Sequence, residues 1–344
     1  MPSRKTLYLH IGHGKTGSSY IQSSLALSME RLAAHGLAYP RPASWADASR
    51  GRITSGNGKR LLDHLEKGSD PPDGLEGAHE GIVLSFEGLF RWLLQAEAPA
   101  RLHAFMEAHG FQTLRMLLFI REPVAHAASS YQQTVKRGGS SRPMEEYFAS
   151  YERPAQVLAL LRQFEGRPET RFDVRNYSAH RDGLLDVVEC WLEVPAGTLA
   201  MPPVEVVNRS LTGAELELQR QLNRHWGDAA GRVADALCNR LPDIPADAVR
   251  PPLEVQEALW ERLAPAIGEI NHRIPEPERL DRARDIVDTP SADDCRHLFT
   301  SAQLAVIAET MASLARKPTV TRPVTGEGSE SIWRAIARRL RASS

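Results

Sequence analysis

A short β-rich run, residues 6–11 (TLYLHI), breaks directly into Gly12-His13-Gly14-Lys15-Thr16-Gly17-Ser18-Ser19. Ile21, Leu25, Met29 and Leu32 then recur at helical spacing as far as Gly36. Strand, glycine-rich turn, helix is the first half of a βαβ unit, and it commits the chain to a parallel sheet covered by helices. The alternation continues. Residues 37–39 read as a second short strand stopped by Pro40, and residues 81–86 (GIVLSF) form a continuous apolar run suited to a buried parallel strand. A helix follows through Phe90, Leu93 and Leu94, and another covers 102–109. Residues 113–121 (TLRMLLFIR) are the strongest strand in the chain. After Pro123, a helical stripe runs through Val124, Ala127, Ala128, Tyr131 and Val135, and residues 171–175 make a last strand. The expected fold class is α/β: a P-loop-like, doubly wound, mostly parallel sheet flanked by helices, with a helical C-terminal extension.

The expected core spans 1–205. Within it, residues 40–80 are rich in glycine and proline, with only Leu61, Leu62 and Leu65 suggesting a short helix. A connection this long reads as a lid or substrate loop. Segments 212–225, 229–240, 254–272 and 301–316 look helical, so 206–316 is expected to be a helical extension packed on the core. Residues 317–344 read as a linker and a basic amphipathic tail. From 331 to 344 the tail carries four Arg and no acid, with Ile332, Trp333, Ile336 and Leu340 on one face. It could lie on an anionic membrane, dock on a partner, or be a solvated, frayed end.

The 344 residues hold 42 Lys plus Arg against 43 Asp plus Glu, a net charge of -1. That balance argues against a nucleic-acid partner with a large footprint. Three cysteines, Cys190, Cys238 and Cys295, stand far apart with no CxxC, which fits a reducing compartment rather than a disulfide framework. There is no run of 18 apolar residues and no signal-peptide pattern, so the expected location is cytoplasmic. The oligomeric state is not legible.

The first turn has the chemistry of a phosphate cradle. A helix start offers unpaired N–H groups and a partial positive charge, and glycines let backbone wrap an anion closely. Gly14 and Gly17 supply that freedom, Lys15 adds a full charge, and Thr16, Ser18 and Ser19 add hydroxyl donors. The ATP-type pattern GxxxxGK[ST] fails, because position 9 is Leu9. No carboxylate ends the 81–86 strand where a Mg²⁺-dependent kinase normally needs one, so no metal site is expected. A second anion clamp is suggested by Arg121 at a strand end and Ser129 two turns into the next helix. Together they suit a nucleotide phosphorylated at two places.

These two segments resemble those of the sulfotransferases that use 3′-phosphoadenosine 5′-phosphosulfate (PAPS). That family carries a Lys-[ST]-Gly-[ST]-[ST] loop for the 5′-phosphosulfate and an Arg-[Asp/Glu]-Pro…Ser-x-Tyr segment for the 3′-phosphate. Here the matches are Lys15-Thr16-Gly17-Ser18-Ser19 and Arg121-Glu122-Pro123 with Ser129 and Tyr131. The His10-Ile11-Gly12 opening is similar to bacterial members, and the resemblance covers roughly residues 6–200. It implies sulfuryl transfer from PAPS to a hydroxyl or amine of a small-molecule or glycan acceptor, with 3′-phosphoadenosine 5′-phosphate (PAP) as product and no metal required. It further implies Lys15 as the charge on the breaking bond and Glu87, in a Ser-x-Glu arrangement, as general base, with Tyr177 on the adenine. The alternative for Glu87 is an acid favoured at a helix start, and Tyr177 could equally be a structural tyrosine.

His10 and His13 are rival bases; Ser85 and Asn57 are weaker contacts for substrate. Lys136 and Arg137 either steer an acidic acceptor or form a solvated helix end, whereas His225 and His272 read as surface or packing residues. At position 126 many family members carry Arg, and His126 is expected to weaken the positive field. The competing readings are a P-loop small-molecule kinase and a non-catalytic nucleotide-binding module of the same fold.

Overall fold

Five strands assemble one all-parallel sheet in this computed structural model, in the order β2-β3-β1-β4-β5. The strands are β1 (Thr6–His10), β2 (Leu37–Ala38), β3 (Gly81–Ser85), β4 (Thr113–Ile120) and β5 (Thr170–Asn176). The structure describes residues 5–48, 50, 56–77, 79–203, 209–245, 247–288 and 298–316. The central strands are the most apolar because both faces are covered. Leu7 and Leu9 of β1 are fully buried, as are Met116, Leu117, Leu118 and Phe119 of β4. Register places His10 beside Ser85 on one side and Leu117 on the other. The chain leaves β1 toward β2 and β3, and leaves β4 toward β5. The loops therefore diverge between β1 and β4, opening a crevice at the carboxyl edge.

Helix α1 (Ser18–Leu27) follows the glycine turn and buries Ile21 and Leu25 against the sheet residues Tyr8, Val83, Leu117 and Phe119. The helix Leu184–Leu192 joins the same core through Leu184, Val188, Trp191 and Leu192. That helix and the helix Arg153–Gln163 lie in stretches where no element is expected from the sequence. Pro154 in the first turn and the spacing of Val157, Leu158 and Leu161 mark the latter.

The chain divides into two units differently from the expected boundaries. Among the described residues, the first holds those up to 130, 145–203 and 250–288; the second holds 131–144, 209–249 and 298–316. Residues 250–288 thus belong with the sheet, not with a continuous 206–316 extension. The cause is a buried polar tie: Asp285, under the helix Leu253–Asn271, accepts from Trp260 Nε1 (2.9 Å) and from two backbone N–H groups at the start of the helix Pro123–Gly138.

Residues 40–80 are less open than expected. The helix Lys59–Lys67 sets Leu61 fully inside. Asn57 is buried with its amide fully engaged, its Nδ2 donating to Pro40 and Val83 carbonyls (both 3.0 Å) and its Oδ1 accepting from Ser85 N (2.8 Å). It brackets β3 and is not placed to touch an acceptor. The 49 and 51–55 stretch lies outside the described residues, as do Cys295 and the linker and tail from 317 onward.

In the second unit, the helix Gly213–Trp226 opens on a capping box between Thr212 and Glu215. Val233 and Leu237 pack on Val306 and Ile307. The buried pair Arg209–Glu215 (2.6 Å) joins Gln303 in a fully bonded network. Lys136 is buried with Nζ 3.4 Å from the Arg209 carbonyl, so it is neither a steering charge nor a solvated helix end. Exposed Arg137 faces Asp235 at 3.7 Å. His225 and His272 are exposed, Cys190 is exposed and Cys238 buried, neither in a disulfide. Among the described residues no helix is long and apolar enough to cross a membrane.

Candidate active site

The turn between β1 and α1 is left-handed at nearly every other residue: Gly12 (φ +48°), Gly14 (+70°), Lys15 (+56°) and Gly17 (+79°). For Lys15 this conformation costs about 1 kcal/mol, which the surrounding structure must hold in place. Gly12 is required for another reason. A Cβ there would lie 2.9 Å from Glu87 Cγ and 3.2 Å from Glu87 Cα, so only glycine lets Glu87 approach the turn. A Cβ on Gly17 would lie 2.6 Å from Leu184 Cδ2 and 3.1 Å from Tyr177 Cε2, which places the Tyr177 ring against the turn.

α1 begins on Gly17 with no side-chain cap and no acidic residue in its first turn. The hydroxyls of Thr16 and Ser18 are buried and have no partner among the described residues. Ser19 is half-buried at the same helix start. A buried helix end is normally satisfied by a cap, water or a ligand. The contrast is the neighbouring helix Pro123–Gly138. There Asp285 accepts from Val124 N (2.6 Å) and Ala125 N (2.9 Å), so a carboxylate of the protein already occupies that end. Burial pushes the Asp285 carboxyl up, and the two backbone donors pull against that shift.

Arg121 emerges from β4 into the crevice. Its Nη1 lies 3.4 Å from the Lys15 carbonyl, and its guanidinium stands 5.8 Å from the Tyr177 ring centroid. The two sequence motifs, 106 residues apart, therefore meet at one edge of the sheet. Ser129 is half-buried on the helix that Arg121 precedes. Behind Arg121, Asn176 donates to Glu122 (2.9 Å) and to the Glu278 carbonyl (3.1 Å), and Ser178 also bonds Glu122. A 280 Å³ pocket opens beside these groups, lined among others by Glu122, Asn176, Ser178, Arg250 and Asp285. Arg250 has a buried Nη1 without a partner among the described residues. Burial and Arg121 lower its pKa while Asp285 opposes that shift. The sequence held no local signal for Arg250, which returns to the sheet from beyond a separate unit. A larger cavity of 410 Å³ flanks β5, with Arg115, Asp173, Arg175, Asp186 and Trp191 in its wall, and contains none of the turn residues.

The rival bases are placed differently from Glu87, which is exposed at the end of β3. His10 is fully buried with Nδ1 2.8 Å from Ser85 Oγ, and burial lowers its pKa to about 4. Ser85 is likewise fully buried. His13 is buried between Phe90 (centroids 5.4 Å) and His126 (4.4 Å); burial, then His126 and Arg153, hold its pKa well below the ordinary value. His126 does not merely lower the local charge, as the sequence suggested. It is buried with Nε2 3.1 Å from the Gly14 carbonyl and Nδ1 2.7 Å from Tyr151 Oη.

No protein-family model matches the chain, and no curated protein matches it. One similar solved structure is a sulfotransferase domain from the curacin biosynthetic pathway. It is 12% identical, covers 77% of this chain and 98% of its own length, and gives a TM-score of 0.33.

Proposed function

We propose that this chain is a PAPS-dependent sulfotransferase acting on a hydroxyl or amine of a small-molecule or glycan acceptor. One observation carries the reading: the lysine-bearing turn and the strand-end Arg121 share one sheet edge, with Arg121 Nη1 3.4 Å from the Lys15 carbonyl. The uncapped start of α1 and the unpartnered Thr16 and Ser18 hydroxyls fit a 5′-phosphosulfate. Arg121, with Ser129 on the following helix, fits a 3′-phosphate. Tyr177, against Gly17 and beside Arg121, fits an adenine edge.

In this reading the backbone N–H groups of residues 16–19 hold the 5′-phosphate. Lys15 stabilises the charge that grows on the bridging oxygen as its bond to sulfur breaks. Glu87 takes the proton of the acceptor as the new oxygen–sulfur or nitrogen–sulfur bond forms, and PAP leaves. A sulfuryl group carries less charge than a phosphoryl, so positioning and electrostatics from these residues supply most of the acceleration without a metal clamp. His10 and His13, buried and neutral, support the turn and take no proton from the acceptor.

The test is a thermal-shift series with PAP, ATP plus Mg²⁺, and AMP. A ligand held at a hundred times its Kd stabilises the fold by about 2.7 kcal/mol. PAP is expected to raise Tm most. A larger shift with ATP and Mg²⁺ would favour the kinase reading, and no shift with any nucleotide would overturn the proposal.

A further inference from the structure

An anion cradle made of backbone needs its N–H groups facing the ligand and its carbonyls turned away. Two carbonyls of this turn, those of Gly14 and Lys15, are held from behind. The Lys15 carbonyl meets Arg121 and the Gly14 carbonyl meets His126 Nε2. Both holders come from the six residues that leave β4. We infer that His126 is a positioning residue that fixes the glycine turn by donating its Nε2–H to the Gly14 carbonyl, with the Tyr151 hydroxyl supporting that tautomer by donating to Nδ1.

The tautomer follows from the partners. A carbonyl can only accept, so Nε2 must carry the hydrogen. A neutral ring then has Nδ1 as acceptor, and the Tyr151 hydroxyl at 2.7 Å donates to it. Ser130 Oγ lies 3.4 Å from the same Nδ1. The ring is 1% exposed and Tyr151 is 5% exposed, so the bond between them is shielded from water, while the bond to the half-buried Gly14 carbonyl is partly buried. Charged and titratable groups around the ring are His13, Tyr151, Arg121 and Arg153, and burial lowers the His126 pKa to about 3. The ring is therefore a neutral donor at physiological pH. An Arg at this position, as in many of the sulfotransferases the chain resembles, would bring a charge; His126 brings direction.

The consequence for the ligand rests on the proposed activity, but the consequence for the turn does not. A Gln at 126 retains a donor at the Nε2 position, whereas an Asn reaches only as far as Nδ1. The experiment uses the full chain and measures amide hydrogen exchange over residues 12–19 without ligand, PAP affinity by calorimetry, and the ¹⁵N spectrum of the His126 ring. Wild type should show Nε2 protonated. His126→Asn should speed turn exchange and weaken PAP by about tenfold, the worth of one buried hydrogen bond, while His126→Gln stays within about threefold. Tyr151→Phe, which keeps the ring's volume, should shift His126 toward a mixture of tautomers. A purely packing role would leave Gln and Asn alike. The inference fails if Nδ1 is the protonated nitrogen in wild type, or if both variants match wild type or are equally impaired. Wild type that does not bind PAP refutes the proposed activity, while turn exchange and the ring spectrum still decide the role of His126.

Discussion

Acidification should unfold this protein through its buried histidines, and the size of the effect follows from two of them. His10 and His126 are held to pKa values of about 4 and about 3, against an ordinary imidazole value of 6.5. In the folded chain both rings stay neutral at pH 5, whereas in the unfolded chain both take up protons. The unfolded state thus binds more protons, and stability falls as pH falls. For one ring, the free energy of protonating the unfolded chain between pH 7 and pH 5 is about 2 kcal/mol. The two together contribute about 4 kcal/mol, set against a total of about 5–15 kcal/mol for a typical domain. His13, depressed by the same burial, acts in the same direction. The contribution is complete above pH 6.5 and is lost as pH drops toward the folded values of about 4 and 3. Urea titrations at pH 7, 6 and 5 measure it. His126→Gln carries one titrating ring fewer, so its loss of stability between pH 7 and pH 5 should be about 2 kcal/mol smaller than that of wild type. An equal loss in both proteins would refute the assignment of a neutral buried ring at this position.

Three further outcomes follow from the geometry. Glu87→Gln should lower kcat by about 10²- to 10⁴-fold and leave PAP affinity unchanged by calorimetry; a variant with full turnover would remove Glu87 as the base. Gly17→Ala combines a φ of +79° with a Cβ 2.6 Å from Leu184. It should cost about 1–2 kcal/mol and lower Tm by about 1–3 °C in a calorimetric scan; an unchanged Tm would show that the turn is not held left-handed there. Asp285→Ala leaves the N–H groups of Val124, Ala125 and Trp260 without their acceptor, and should destabilise the chain by about 3 kcal/mol or more in urea unfolding; a loss below about 1 kcal/mol would count against the tie.

What could be read from the sequence was local. The apolar runs at 6–11, 81–86 and 113–121 became the three central strands within a residue or so of the expected ends, because a strand buried on both faces must be apolar throughout. The glycine turn after β1 was legible because its signal is local as well: glycines, a lysine and hydroxyls stand within eight consecutive positions, and the backbone there is left-handed at Gly12, Gly14, Lys15 and Gly17. The parts that were not legible depend on pairing across the chain. Nothing near residue 285 signals that its carboxylate caps a helix at 124, and nothing near Tyr151 signals that its hydroxyl orients His126. Asn57 and Lys136 look like surface polar residues in sequence, and only their partners, the edge of β3 and the Arg209 carbonyl, account for their burial. The helix Leu253–Asn271 was recognised as a helix, but the unit it belongs to is set by Trp260 and Asp285 rather than by its position in the chain.

The central claim is that one nucleotide is gripped at both ends, and a cycle of ligand and residue measures that directly. Calorimetry of PAP and AMP on wild type and on Arg121→Ala separates the grip on the 3′-phosphate from everything else. The account predicts that wild type prefers PAP over AMP by at least about 1.5 kcal/mol, the lower worth of a charge-assisted hydrogen bond, and that this preference disappears in Arg121→Ala. A preference for PAP that survives loss of Arg121, or no preference in wild type, would contradict it.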